Sequence, residues 1–157
     1  MKKTNAMRML DEAKIRYEVV EYDVDPEDLS GVHVAQTASL PLEKVFKTIV
    51  LQGDRTGYLV ICIAVGDEID LKKAAKLSGN RSVELIRIAD LEKITGYVRG
   101  GCSPIGMKKK FPTFASEKLS AQDAVYVSAG KRGLQLRVAS ADLIEFCDIT
   151  LGNVTNP

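Results

Sequence analysis

Met7, Leu10, Ala13 and Lys14 recur at helical spacing behind Thr4, whose hydroxyl suits a helix cap, and this predicts a helix from Asn5 to about Ile15. The period then changes. Tyr17 to Tyr22 (YEVVEY) alternates and reads as a strand. The acidic stretch from Asp23 to Gly31, which holds Pro26, reads as a loop, and Val32 to Leu40 as a short helix ended by Pro41. Two runs rich in β-branched residues, VFKTIVLQ and YLVICIAV, flank a turn with Gly53 and Gly57 and predict a hairpin. Asp70 to Ser78 has an aspartate at its cap and Gly79 just past its end, so both helix signals are present.

Val83 to Ile88 reads as a strand, and Ala89 to Thr95 as a short helix stopped by Gly96. From Tyr97 to Phe114 the chain is predicted to be a loop, because Gly100, Gly101, Pro104 and Gly106 crowd it. Ala124 to Ser128 and Leu134 to Val138 form a second hairpin across AGKRG, and Ala141 to Phe146 a closing helix. Short strands mixed irregularly with short helices predict α+β, one domain over residues 1–157, with a mixed or mostly antiparallel sheet. A doubly wound nucleotide fold needs regular strand–helix alternation, which this pattern does not supply.

No apolar run approaches the ~20 residues of a membrane helix. Arg8, Asp11, Glu12 and Lys14 interrupt the block a signal peptide needs, so export is not expected. Cys62, Cys102 and Cys147 are odd in number, scattered and without a CxxC pair, which argues against both a disulfide framework and a thiolate metal site. His33 is the single histidine, so no metal is expected. The cytoplasm fits these features. Net charge is +1, but its distribution is uneven. Residues 17–30 hold six acids and no base, whereas residues 72–110 hold ten Lys or Arg against Glu84, Asp90 and Glu92. The basic stretch either solvates helices or forms a face for a polyanion.

The familiar nucleophile and nucleotide motifs are absent: no GxSxG, no GxxxxGK[ST], no GxGxxG. His33 lies in an apolar stretch, where a packed or surface role is the simpler reading. Lys47 is the unusual residue, an ammonium between Phe46 and Ile49 in an apolar strand. It is either a strand lysine facing solvent or a cation aimed into a cleft, where low dielectric strengthens its pull on an oxyanion. Gly100 and Gly101 let a ligand approach their backbone, or merely turn the chain. Ser128 could likewise bind a ligand or sit at a hairpin tip. Cys102, beside the glycines, is read as an apolar filler rather than a nucleophile.

These segments, taken in order, resemble a known family. The TNAMRMLDEAKI helix, VEYDVDP, VFKTIVLQGD, DLKKAAKLSG, TGYVRGGCSPIGMKKKFPTF and YVSAGKRGLQL followed by ADL are similar to the YbaK-type bacterial Cys-tRNA(Pro) deacylases, relatives of the editing domain of bacterial prolyl-tRNA synthetase. The likeness runs from near residue 4 to near residue 150 and implies a mixed or barrel-like sheet with surrounding helices. It implies trans-editing, the hydrolysis of cysteine from mischarged tRNA(Pro), without cofactor, and makes prolyl-tRNA synthetase a candidate partner. On this resemblance Lys47 matches the essential lysine, Tyr22 a tyrosine that positions substrate, and Gly100 and Gly101 the pair whose backbone lines the aminoacyl pocket. Thr48 and Ser128 match pocket positions. The acidic loop from Asp23 to Ser30 matches least well.

An aminoacyl ester is already activated, and a cysteinyl thiol can attack its own carbonyl to release a thiolactone. Such an enzyme needs positioning and charge stabilisation rather than a triad. Lys108, Lys109 and Lys110 are candidate tRNA phosphate contacts. The alternatives are a deacylase for another error such as Ala-tRNA(Pro), a non-catalytic tRNA- or synthetase-binding module, and a small-molecule esterase.

Overall fold

The computed structural model of the chain describes residues 2–157. In α1 (Asn5–Glu12) the Thr4 hydroxyl accepts the Met7 amide at 3.3 Å, and Ala6, Met7 and Leu10 are buried. The helix stops at Glu12 rather than near Ile15. Lys14 adopts φ 59° and the Ile15 amide turns back to the Leu10 carbonyl at 2.9 Å, a Schellman stop made without glycine. Then come β1 (Tyr17–Glu21), α2 (Gly31–Thr37), β2 (Phe46–Gly53), β3 (Gly57–Ala64), α3 (Leu71–Ser78), β4 (Val83–Leu85) and α4 (Leu91–Thr95). The chain closes with β5 (Thr113–Ser116), β6 (Ala124–Ser128), β7 (Leu134–Ala139), α5 (Ser140–Phe146) and β8 (Ile149–Gly152). The sequence reading left β5 and β8 out. Both are four-residue strands, too short for alternation to stand out.

The strands make two sheets, β1-β7-β6 and β4-β2-β3-β5-β8. Pairing is antiparallel except for β3–β5 and β5–β8. The α+β architecture with a mixed, mostly antiparallel sheet therefore matches the expectation. The barrel-like core does not: the strands do not close, because among the described residues one parallel bridge, Val45 to Tyr126, joins the two sheets. β3 is buried on both faces, which explains its continuous apolar run. Leu59, Ile61 and Ile63 pack with Ala74 and Ala75 of α3, while Cys62 and Ala64 face the core shared with α1, α5 and the three-stranded sheet. Each fully buried Leu or Ile there contributes roughly 1.5–3 kcal/mol. No helix among the described residues is long and apolar enough to cross a membrane.

Candidate functional site

The seam between the sheets makes the site. β2 bridges to β6 at Val45 and pairs with β4 from Leu51 to Gly53. Between these points Phe46 to Ile49 have no strand partner on that side, so the sheet is open there. A cavity of about 270 Å³ occupies the gap. Lys47 and Thr48 reach it from β2, Ser128 from the end of β6, and Gly100 and Cys102 from the loop after α4. Leu29, Ser30 and Gly31 close another wall, the Ser30 hydroxyl capping α2 by accepting the His33 amide at 3.2 Å.

Of the two readings of Lys47, the structure supports the cleft. The side chain is half-buried, lines the cavity, and forms no hydrogen bond or ion pair among the described residues. Among the described residues no carboxylate lines the cavity with it. The Thr48 hydroxyl lies 3.8 Å from the Cys62 sulfur. The buried Ser128 hydroxyl accepts the Gly130 amide at 3.1 Å and keeps its own proton to donate.

Gly100 and Gly101 play different parts. Gly100 needs its missing side chain, at φ 85°, in a turn closed by the Gly101 amide donating to the Val98 carbonyl at 2.9 Å. Gly101 lies just beside the cavity, and a Cβ there would stand 3.3 Å from the Arg132 backbone nitrogen and 3.4 Å from Lys131. The β6–β7 tip is thus seated on the glycine pair. Arg132 Nε fixes it by donating to the Arg99 carbonyl at 2.7 Å. Tyr97 holds the same tip from below. Its hydroxyl donates to the Ile105 carbonyl, and its ring would meet a Cβ on Gly130 at 2.9 Å.

Cys102 lines the cavity as an apolar group. Burial, reinforced by nearby Cys62, pushes its thiol up to about 12, so it is protonated at neutral pH and is a poor nucleophile. His33 stays outside, with Nδ1 3.6 Å from Asp28 and Nε2 3.2 Å from the Thr37 hydroxyl. Among the described residues no group of three or more His, Cys, Asp or Glu side chains is placed to hold a metal ion.

Four expected site residues fall elsewhere. Tyr22 lies just past β1, in a neighbouring depression with Lys131 and Arg132. Lys109 and Lys110 border a third hollow with Met9 and Phe146, and the Lys108 stem lies over Gly96. In exchange the cavity contains Gln135, which the sequence reading missed. Gln135 is 5% exposed, and its Oε1 has no hydrogen-bond partner among the described residues. In LQLRVA it alternates with Leu134 and Leu136 and so reads as a solvent-facing strand position; the cavity walls bury it.

Comparison with known proteins agrees with this architecture. Residues 29–146 match the aminoacyl-tRNA editing domain family. A protein of Enterococcus faecalis, provisionally named Cys-tRNA(Pro)/Cys-tRNA(Cys) deacylase EbsC, is 44% identical over 153 residues, 98% of this chain and 93% of its own. A crystal structure described provisionally as a trans-editing enzyme for prolyl-tRNA synthetase shares the fold over all of both chains, with TM-score 0.82 at 19% identity. A hypothetical protein superposes with TM-score 0.85 at 16% identity over 95% of this chain and 97% of its own.

Proposed function

The chain belongs to the aminoacyl-tRNA editing domain family, and on that premise we propose that it is a deacylase that clears cysteine from mischarged tRNA(Pro) in trans. Residues 1–157 act as one editing domain in the cytoplasm, where charged tRNA is used, with prolyl-tRNA synthetase as the source of the error and a transient partner. The observation that carries the reading is Lys47, an ammonium with no ion-pair partner or neighbouring carboxylate among the described residues, in a small cavity. A cavity of about 270 Å³ is at the small end of ligand sites, which run roughly 300–1,000 Å³. It suits one small aminoacyl group.

The reaction follows from the groups present. The substrate thiol gives its proton to water and its sulfur attacks the ester carbonyl carbon, forming a C–S bond and an oxyanion. Lys47 stabilises that oxyanion, its effect strengthened by partial removal from water. The carbonyl re-forms, the bond to the ribose oxygen breaks, and that oxygen takes up a proton, releasing a thiolactone that water opens to cysteine. The backbone of Gly100 and Gly101 holds the aminoacyl group, and Thr48 and Ser128 supply hydroxyls. Gln135 Oε1 is an acceptor for the α-amino group, which otherwise meets no anion here.

Deacylation is measured with Cys-, Ala- and Pro-charged tRNA(Pro) and with Cys-tRNA(Cys). Cys-tRNA is expected to be hydrolysed, and Lys47→Ala to lower kcat about 10²–10³-fold, the cost of losing one oxyanion donor. Wild-type inactivity on every charged tRNA, or a Lys47→Ala enzyme within threefold of wild type, defeats the proposal.

A further inference from the structure

The loop that gives Gly100 and Cys102 to the Lys47 cavity runs on to wall a separate hollow of about 170 Å³. The two share no lining residue. Met9 of α1, Ile105 and Phe111 of the loop, and Phe146 and Cys147 at the end of α5 give the hollow apolar walls, all of them buried or half-buried. The polar atoms around it are already used. The Thr113 hydroxyl donates to the Phe111 carbonyl at 2.9 Å, the Cys147 thiol donates to the Pro104 carbonyl at 3.7 Å, and the Ile105 carbonyl accepts the Tyr97 hydroxyl.

The rim is cationic. Lys109 and Lys110 line the hollow and are exposed, and among the described residues neither forms an ion pair and no carboxylate lines the hollow with them. Burial, with Cys62 nearby, pushes the Cys147 thiol up to about 12, and the Lys110 ammonium opposes that rise, as a cation near the sulfur does.

Such a hollow asks for a guest that is apolar at its tip and anionic around it. A cavity of about 150 Å³ is enough to hold a benzene ring, so one phenylalanine or leucine side chain fills this one. A nucleic-acid base suits it less, because its edge would carry donors and acceptors into a space whose own polar atoms are already paired. We infer that the hollow docks an acidic protein segment, which inserts one bulky apolar side chain against Met9 and Phe146 while flanking Asp or Glu side chains pair with Lys109 and Lys110. In a contact of this kind the buried anchor supplies most of the affinity, and the charged rim selects and steers the partner. Lys109 and Lys110 then serve a protein partner rather than tRNA phosphates, whichever aminoacyl ester the Lys47 cavity clears.

The probe is the acetylated and amidated peptide Glu-Glu-Phe-Glu-Glu, titrated into the isotope-labelled full chain and followed by amide NMR. Saturable shifts are expected at Met9, Ile105, Lys110 and Cys147. Replacing the peptide's Phe by Ala should weaken binding about thirtyfold, as loss of an interface anchor does. Replacing its Glu residues by Gln should weaken it about three- to tenfold at low salt and much less at high salt. A chain carrying Lys109→Glu and Lys110→Glu, shown by thermal melting to be folded, should no longer bind the peptide at low salt. Shifts that fail to appear at millimolar peptide, or that persist when Phe becomes Ala, overturn the proposal. So does a single-stranded RNA ending in CCA that shifts the same amides while the peptide does not, which would return the lysines to tRNA. If sedimentation shows that the chain self-associates, and dilution alone shifts these amides, a second copy covers the hollow and the acidic partner is wrong.

Discussion

Gly31→Ala sets two effects of opposite sign against each other. Replacing a helical glycine by alanine ordinarily stabilises a helix by up to about 1 kcal/mol, and by less in the first turn, where Gly31 lies. Here the new Cβ would stand 2.4 Å from Val65 Cγ1 and 2.9 Å from Val65 Cβ, against ordinary carbon contacts of about 3.5–4.0 Å. Rotating the Val65 side chain moves Cγ1 but leaves its Cβ in place. Val65 is itself buried against Ala35 and Val45, so α2 must shift by about an ångström instead. Overpacking of this kind costs about 1–3 kcal/mol, which outweighs the helix gain. A net loss of about 1–2 kcal/mol lowers Tm by roughly 2–8 °C for a chain of this length.

Urea unfolding followed by far-UV circular dichroism measures the loss directly, since the chain has no tryptophan. Val65→Ala removes Cγ1 but not Cβ, so it should relieve part of the clash, and the double mutant should be more stable than the sum of the singles by about 0.5–1.5 kcal/mol. Gly31 also lies 3.9 Å from Lys47 Cβ by its virtual Cβ, so a displaced α2 loosens the cavity and raises KM. A Gly31→Ala protein as stable as wild type, or single-mutant losses that simply add, would refute the packing argument.

Cys102→Ser is expected to deacylate within about threefold of wild type, and wild type to resist iodoacetamide at pH 8, because a thiol raised to about 12 leaves roughly one thiolate in ten thousand; loss of turnover in a folded Cys102→Ser protein contradicts this. Asn80 ties the β2–β3 turn together: its Oδ1 accepts the Arg55 and Thr56 amides at 2.8 and 3.0 Å, and its Nδ2 donates to the Thr56 and Ser78 hydroxyls. Asn80→Ala should cost about 1–3 kcal/mol in chemical unfolding, with two turn amides left unpaired. The Asp54 carboxyl is held below the usual carboxylate range by backbone amides of Ser82 and Arg81. Its contribution is therefore complete above about pH 4 and lost as pH falls through the depressed value. The stability difference between wild type and Asp54→Asn should shrink on acidification through that window; a constant difference from pH 6 to pH 2 would count against it.

The hairpin of β2 and β3, the caps at Thr4 and Asp70, and the Gly79 stop were all legible, because each rests on local chemistry within a few residues. The stops at Lys14 and Ser39 were not: both take φ near 60°, where a sequence rule expects glycine. Lys47 stood out as an ammonium in an apolar strand, yet the choice between solvent and cleft depended on β6 parting from β2 after Val45, a fact about two strands nearly eighty residues apart. Gln135 was hidden by the same seam, since alternation tells which face of a strand a side chain takes and not what covers that face. Tyr22 entered only through the family resemblance, and its neighbours Lys131 and Arg132 come from a distant hairpin tip.

The cavity walls meet through backbone and small residues rather than through a motif. Gly31 admits Val65, Gly101 admits the Lys131–Arg132 backbone, and Gly130 admits the Tyr97 ring. The Gly31 and Gly130 contacts are closer than a Cβ would allow and the Gly101 contact is tight, and each holds in place a segment that borders the same small space. An already activated ester asks little of an enzyme beyond a partly desolvated cation and a fixed geometry. Selection among aminoacyl groups then comes first from the substrate thiol, which alanine lacks, and second from the volume those walls leave for it to fold back, where one methylene is worth about 1–3 kcal/mol. Substitutions that let the walls move should therefore loosen the hold on the cysteinyl group, whereas loss of Lys47 should slow the chemical step itself about 10²–10³-fold. Comparing KM and kcat for Cys-tRNA(Pro) in Gly101→Ala and Lys47→Ala separates the two effects: the first should chiefly raise KM and the second lower kcat, and an unchanged KM in a folded Gly101→Ala protein would show that the walls do not position the cysteinyl group.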